Sequence, residues 1–80
     1  MATHRTKLTF PDHLITRPII YELGRRFEVV TNIRRADVRG DVGWVVLELQ
    51  GDEGEIEKAL AWAREEGVRV DPVTGDVIEG

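Results

Sequence analysis

The spacing of apolar residues changes period along this chain in an order that leaves few folds open. Lys7-Leu8-Thr9-Phe10 alternates polar and apolar, the pattern of a half-buried strand. Beyond Pro11 and Asp12, the apolar residues Ile19, Ile20, Leu23 and Phe27 recur at helical spacing. The period returns to two from Val29 to Val38 and again from Trp44 to Gln50. A second helical stripe follows at Ile56, Ala59, Leu60 and Ala63, and then a short alternation at Val68 and Val70. One strand–helix–strand pattern is thus used twice. Right-handed crossovers put both helices on the same side of the sheet. The expected fold is α+β: a ferredoxin-like β-α-β-β-α-β sandwich, a four-stranded antiparallel sheet with two helices on one face.

The punctuation between these segments agrees with that order. Thr16 reads as the cap of the first helix, with Pro18 tolerated in its first turn and Arg25 and Arg26 suited to its last. Within the second strand Val29, Thr31 and Ile33 share a face, after which the apolar parity passes to Ala36 and Val38. One extra residue near Arg34 and Arg35 explains the switch, so a bulge is expected there. Gly40-Asp41-Val42-Gly43 reads as a hairpin turn. Gly51 breaks the third strand, and Asp52 caps the second helix with Glu55 completing a capping box. Gly67 stands where a left-handed cap ends that helix, and Pro72 stops the last strand. Residues 1–80 make a single domain, with 72–80 a flexible tail.

Composition removes several classes of chemistry. The chain has no cysteine and no serine, so thiol nucleophiles, disulfides, Fe–S clusters and a serine triad are excluded. Two histidines, His4 and His13, do not make a metal set, and no cofactor is expected. A net charge of −4 argues against nucleic acid. The residues after Met1 carry no secretory signal and no apolar run could insert in a membrane, which fits a cytoplasmic protein. Glu53, Glu55 and Glu57 suit the start of a helix electrostatically and need no catalytic role. Arg17 and Asn32 fall roughly where acylphosphatases of the same element order carry an Arg and an Asn. Here, however, the loop from Pro11 to Thr16 has no glycine and Pro18 removes an amide donor, so a phosphate cradle is lacking. No enzyme is expected.

The open sheet face is the informative surface. Leu8, Phe10, Ile33, Val45, Leu47, Leu49, Val68 and Val70 should lie under the helices. Trp44 and Val46 then fall on the uncovered face, as a contact surface or packed against cationic side chains of neighbouring strands. An 80-residue chain buries only about 60% of its unfolded surface, and a homodimer would cover more.

The segments Lys7–Phe10, Pro18-Ile19-Ile20, Arg25-Arg26-Phe27, Thr31-Asn32-Ile33, Ala59–Trp62 and Gly67–Val70 stand in the order and spacing of the NIL domain, which the chain resembles. Arg34 departs from it, where the family's Asn-Ile-Leu has Leu. The resemblance implies a regulatory domain. Such domains occur at the C-terminus of methionine-importer ATPase subunits, where they pair, bind methionine near the paired sheets and inhibit import. Others are joined to ferredoxin modules. Domains of the ACT type share the fold and also bind amino acids. The expected ligand-binding residues are Asn32, Ile33, Arg34, Trp44 and Val46. Asn32 matches the family's named Asn, Trp44 and Val46 offer an apolar wall for a thioether, and Arg34 could meet a carboxylate. The expected partners are a second copy, a small amino acid such as methionine and, in the other reading, a transporter or sulfur amino-acid enzyme docked without a small ligand. With no Walker motif and with Met1 at its start, the chain reads as a stand-alone sensor.

Overall fold

The third strand of the sheet is its spine. In the structure, a computed structural model describing residues 1–73, β3 (Val42–Gly51) pairs antiparallel along its length with β1 (Ala2–Phe10) on one side and β2 (Val29–Arg39) on the other. The short β4 (Arg69–Pro72) adds to the outer side of β1, so the strand order is β2-β3-β1-β4. The helices α1 (Ile19–Arg26) and α2 (Glu53–Glu65) lie on one face and close the core. The two crossovers and the four-stranded antiparallel sheet are those expected.

Leu8, Leu47 and Leu49 from the sheet meet Ile19 and Leu23 of α1 and Ile56, Ala59 and Ala63 of α2, all fully or almost fully buried. Full burial of one such large side chain contributes about 1.5–3 kcal/mol. Phe10, Val45 and Val68 are buried as expected, while Val70 and Leu60 sit half-buried at the margin. Ile33 does not join them. Its cross-strand partner is the buried Leu47, so it lies on the helix side, but at 55% exposure it is uncovered. The reason is its place on the edge strand, beyond the reach of both helices.

Several local expectations need correction. The first strand begins at Ala2 rather than Lys7, because β3 offers a partner to every residue of it. Thr16 does not cap α1. A 3-10 turn at Asp12–Leu14 intervenes, and the helix starts after Pro18 with no side-chain cap. Asp52 does cap α2, accepting from the Gly54 amide at 3.2 Å. Glu55 does not complete a capping box. Its carboxylate turns away to accept from the Glu28 amide at 3.0 Å, tying the entrance of β2 to the first turn of α2. β3 runs from Val42 to Gly51 rather than from Trp44 to Gln50, so Gly51 is the residue on which the strand ends. The bulge lies where parity placed it, with the register shifting between Ile33 and Arg35. Gly40 opens the tight hairpin turn at φ +60° and Gly67 follows α2 at φ +107°, both in the region that favours glycine. Pro72 ends β4 in register with Thr6, and the Val73 amide donates to the Arg5 carbonyl at 3.3 Å. The rest of the expected tail, 74–80, lies outside the described residues.

Candidate functional site

Residues opposite one another on neighbouring strands share a face, so the register alone lays out the side of the sheet away from the helices. Along β3 that side carries Trp44, Val46, Glu48 and Gln50. Trp44 stands between Thr9 of β1 and Asp37 of β2, Val46 between Lys7 and Arg35, and Glu48 between Arg5 and Asn32. On β4, Asp71 stands opposite Lys7 and Arg69 opposite Thr9.

Three of the five expected ligand-binding residues therefore lie together. Asn32, Trp44 and Val46 occupy the open face. Ile33 is on the other face, and Arg34 is the bulged residue with no counterpart on β3. Asn32 and Trp44 are not adjacent: four residues of β3 separate their positions, about 13 Å at the rise of an antiparallel strand. Val46 sits between them. A ligand the size of one amino acid lying over Val46 would have Asn32 toward one end and Trp44 toward the other.

Val46 is only 9% exposed although no helix covers it. Trp44 is half-buried, with the Lys7 ammonium 5.1 Å from its ring centroid. Long cationic side chains of the flanking strands thus cover part of the apolar centre, with their stems along the surface and their charges in water. The Asn32 amide is exposed and makes no side-chain hydrogen bond among the described residues.

The charges on this face are ordered. Glu48 is held by Arg5 at 2.9 Å, Asp37 by Arg39 at 2.8 Å and Asp71 by Arg69 at 2.9 Å. Lys7 and Arg35 are left without a carboxylate among the described residues. The face carries five cations against three anions, in a chain of net charge −4. Sequence reasoning missed Lys7 and Arg35. The parity switch at the bulge was the signal that could have placed Arg35 beside Val46.

The other candidate chemistry is spoken for. Arg17 is bidentate to Glu22, at 3.1 and 2.9 Å, and also binds Glu66 at the end of α2. The guanidinium holds the Glu22 carboxyl below its usual range, chiefly through those hydrogen bonds. His4 meets Glu53 across 2.7 Å between β1 and α2. A cavity of about 200 Å³ opens between α1 and the β2–β3 hairpin, with Phe10, Leu14, Ile20, Val38 and Trp44 among its walls. Of the five expected residues only Trp44 touches it. No helix among the described residues is long and apolar enough to cross a membrane.

Comparison with known proteins agrees with the fold and places the chain. Methionine import ATP-binding protein MetN 1 of Bacillus licheniformis is 31% identical over 71 residues, which is 84% of this chain and 21% of that protein. The chain thus spans about a fifth of the length of this relative. The structure of the C-terminal domain of an ABC transporter ATP-binding protein from Enterococcus faecalis superposes with a TM-score of 0.78, covering 88% of this chain and 82% of that one at 23% identity, a likeness of fold. The family model described as NIL domain matches residues 4–72, from β1 through β4, and the chain belongs to that family.

Proposed function

We propose that this chain is a non-catalytic regulatory domain that binds a small amino acid, methionine or a close relative, on the open sheet face where two copies pair. The observation that carries this reading is the half-covered apolar centre, Trp44 and Val46, beside an Asn32 amide with no side-chain partner among the described residues. An amide offers both a donor and an acceptor, which suits a ligand bearing ammonium and carboxylate. The relative is a methionine import ATP-binding protein, which supports the choice of ligand. Ile33 and Arg34 would meet such a ligand only from the edge of β2.

The test is a thermal-shift titration with single amino acids, methionine included, on the chain and on Asn32→Ala. A ligand at a hundred times its dissociation constant adds about 2.7 kcal/mol, which for a domain this size is roughly 10–20 °C. A shift with methionine that Asn32→Ala loses is the expected result. Absence of any shift in a folded protein would remove the sensor reading. The positive character of the face favours a second reading in that event, a module docking the acidic surface of a transporter or sulfur amino-acid enzyme without a small ligand.

A further inference from the structure

The open face distributes its charges unevenly, and the uneven part surrounds Val46. Each carboxylate on the face has its own arginine: Arg5 on Glu48, Arg39 on Asp37, Arg69 on Asp71. Asp71 is the residue opposite Lys7, and Asp37 follows two positions after Arg35, so both nearby anions are already engaged. Lys7 and Arg35 are the cations left over. They are the two cross-strand neighbours of Val46, one on each side of β3.

Their backbones are two strand spacings apart, about 9–10 Å. Side chains as long as lysine and arginine can close that distance onto one anion above Val46. The floor between them is the apolar side chain of Val46, which has no polar group to compete with a ligand for the two cations. Along β3 toward the hairpin, Trp44 stands about 7 Å away, which leaves room for an apolar chain leading off from the anion.

We propose that Lys7 and Arg35, flanking Val46, form a carboxylate subsite for a small monocarboxylate whose apolar chain lies against Trp44. This rests on reading the face as a small-ligand site and specifies how the ligand's acid group is held. Arg35 suits the task because its planar fork can bind a carboxylate through two parallel hydrogen bonds. Lys7 contributes a point charge, and its ammonium, 5.1 Å from the Trp44 ring centroid in the free chain, uncovers the ring for the ligand's apolar chain when it turns to the anion. Arg34, the extra residue of the bulge, has no paired position on β3 that fixes its place over Val46.

The experiment is an amide-detected NMR titration with three probes: methionine, methylthiobutanoate (which lacks the ammonium) and methioninol (which lacks the carboxylate). It is run on the chain, on Lys7→Gln, on Arg35→Gln and Arg35→Lys, on Asn32→Ala, and on Arg64→Gln, an exposed cation of α2 on the other side of the sheet, as a control. Both acids should bind about tenfold more weakly to Lys7→Gln and Arg35→Gln, the loss expected for one hydrogen bond to a charged group. Arg35→Lys should recover part of the affinity. Methioninol should lose no affinity in the glutamine variants, and Arg64→Gln should behave as the parent chain. Wild-type affinity for methionine in both glutamine variants, with binding still lost in Asn32→Ala, would overturn the subsite and leave the sensor reading standing. Binding of methylthiobutanoate through Lys7 and Arg35 without binding of methionine would support the subsite and overturn the amino-acid reading. Binding of neither acid to the parent chain would overturn both.

Discussion

Gly51 is in register with two strands at once, with Ala2 of β1 and with Val29 of β2. A Cβ at this position would stand 2.8 Å from the Glu28 carbonyl oxygen. That atom belongs to the backbone and cannot swing aside, so the strand would have to move. Gly51→Ala should therefore destabilise the fold by about 1–3 kcal/mol, the usual scale of overpacking. Urea unfolding should show a lower midpoint at unchanged slope. An unaltered midpoint would mean that the approach of β2 to the end of β3 is looser than the structure has it. Gly24 is a useful contrast, since an added Cβ there meets nothing within 4 Å. One glycine is required by its neighbours and the other is not, although both are single residues beside charged ones in the sequence.

The second helix is anchored at both ends. Asp52 caps its start, and Asp52→Ala should cost about 0.5–2 kcal/mol, read as a fall in the urea midpoint. Its first turn is also joined to the start of β2 by Glu55, whose carboxylate is held below its usual range mainly by the Glu28 amide. A lowered folded value means the contribution is fully present above the unfolded pKa and disappears as pH falls through the folded one. Stability should accordingly decline below about pH 5, and Glu55→Gln should flatten that decline when unfolding is measured across the acid range. If the variant keeps the parent's acid slope, the contact does not persist in solution. At its other end α2 is tied to the approach to α1, because Arg17 spans Glu22 and Glu66 while its guanidinium and that of Arg26 lie 5.9 and 5.1 Å from the Trp62 ring centroid. Trp62 thus serves as a stacking surface between the helices, and Phe27 meets it at 6.1 Å.

Over the whole molecule, charge is segregated. The open sheet face is positive by two, which leaves −6 for the remainder of a chain of net −4. Two such faces brought together in a symmetric pair repel. Salt screens that repulsion, with the Debye length falling from about 30 Å at 0.01 M to about 3 Å at 1 M. If copies pair face to face, sedimentation equilibrium should show a dimer that tightens as salt is raised. A carboxylate ligand held between the faces should have the same effect at low salt. A dimer that loosens with salt would place the contact elsewhere, where opposite charges meet.

The alternation of periods two and 3.6, read with Pro11, Gly51 and Gly67, was enough to settle the order of elements and the helix-covered sheet, because burial of one face imposes those periods directly on the residues. The bulge was legible for the same reason: a single inserted residue exchanges the faces of every residue after it, and Ala36 and Val38 record the exchange. Capping was legible at Asp52, where the partner is two residues away, and misread at Glu55, whose partner Glu28 lies 27 positions away in the connection leading into β2. Ile33 has the pattern of a core residue but lies beyond the helices, which periodicity cannot reveal because it reports a face and not what covers it. The composition of the open face was decided only by pairing. Lys7 and Arg35 are 28 positions apart in sequence, and they become neighbours of one valine only through two strand registers that tertiary structure sets.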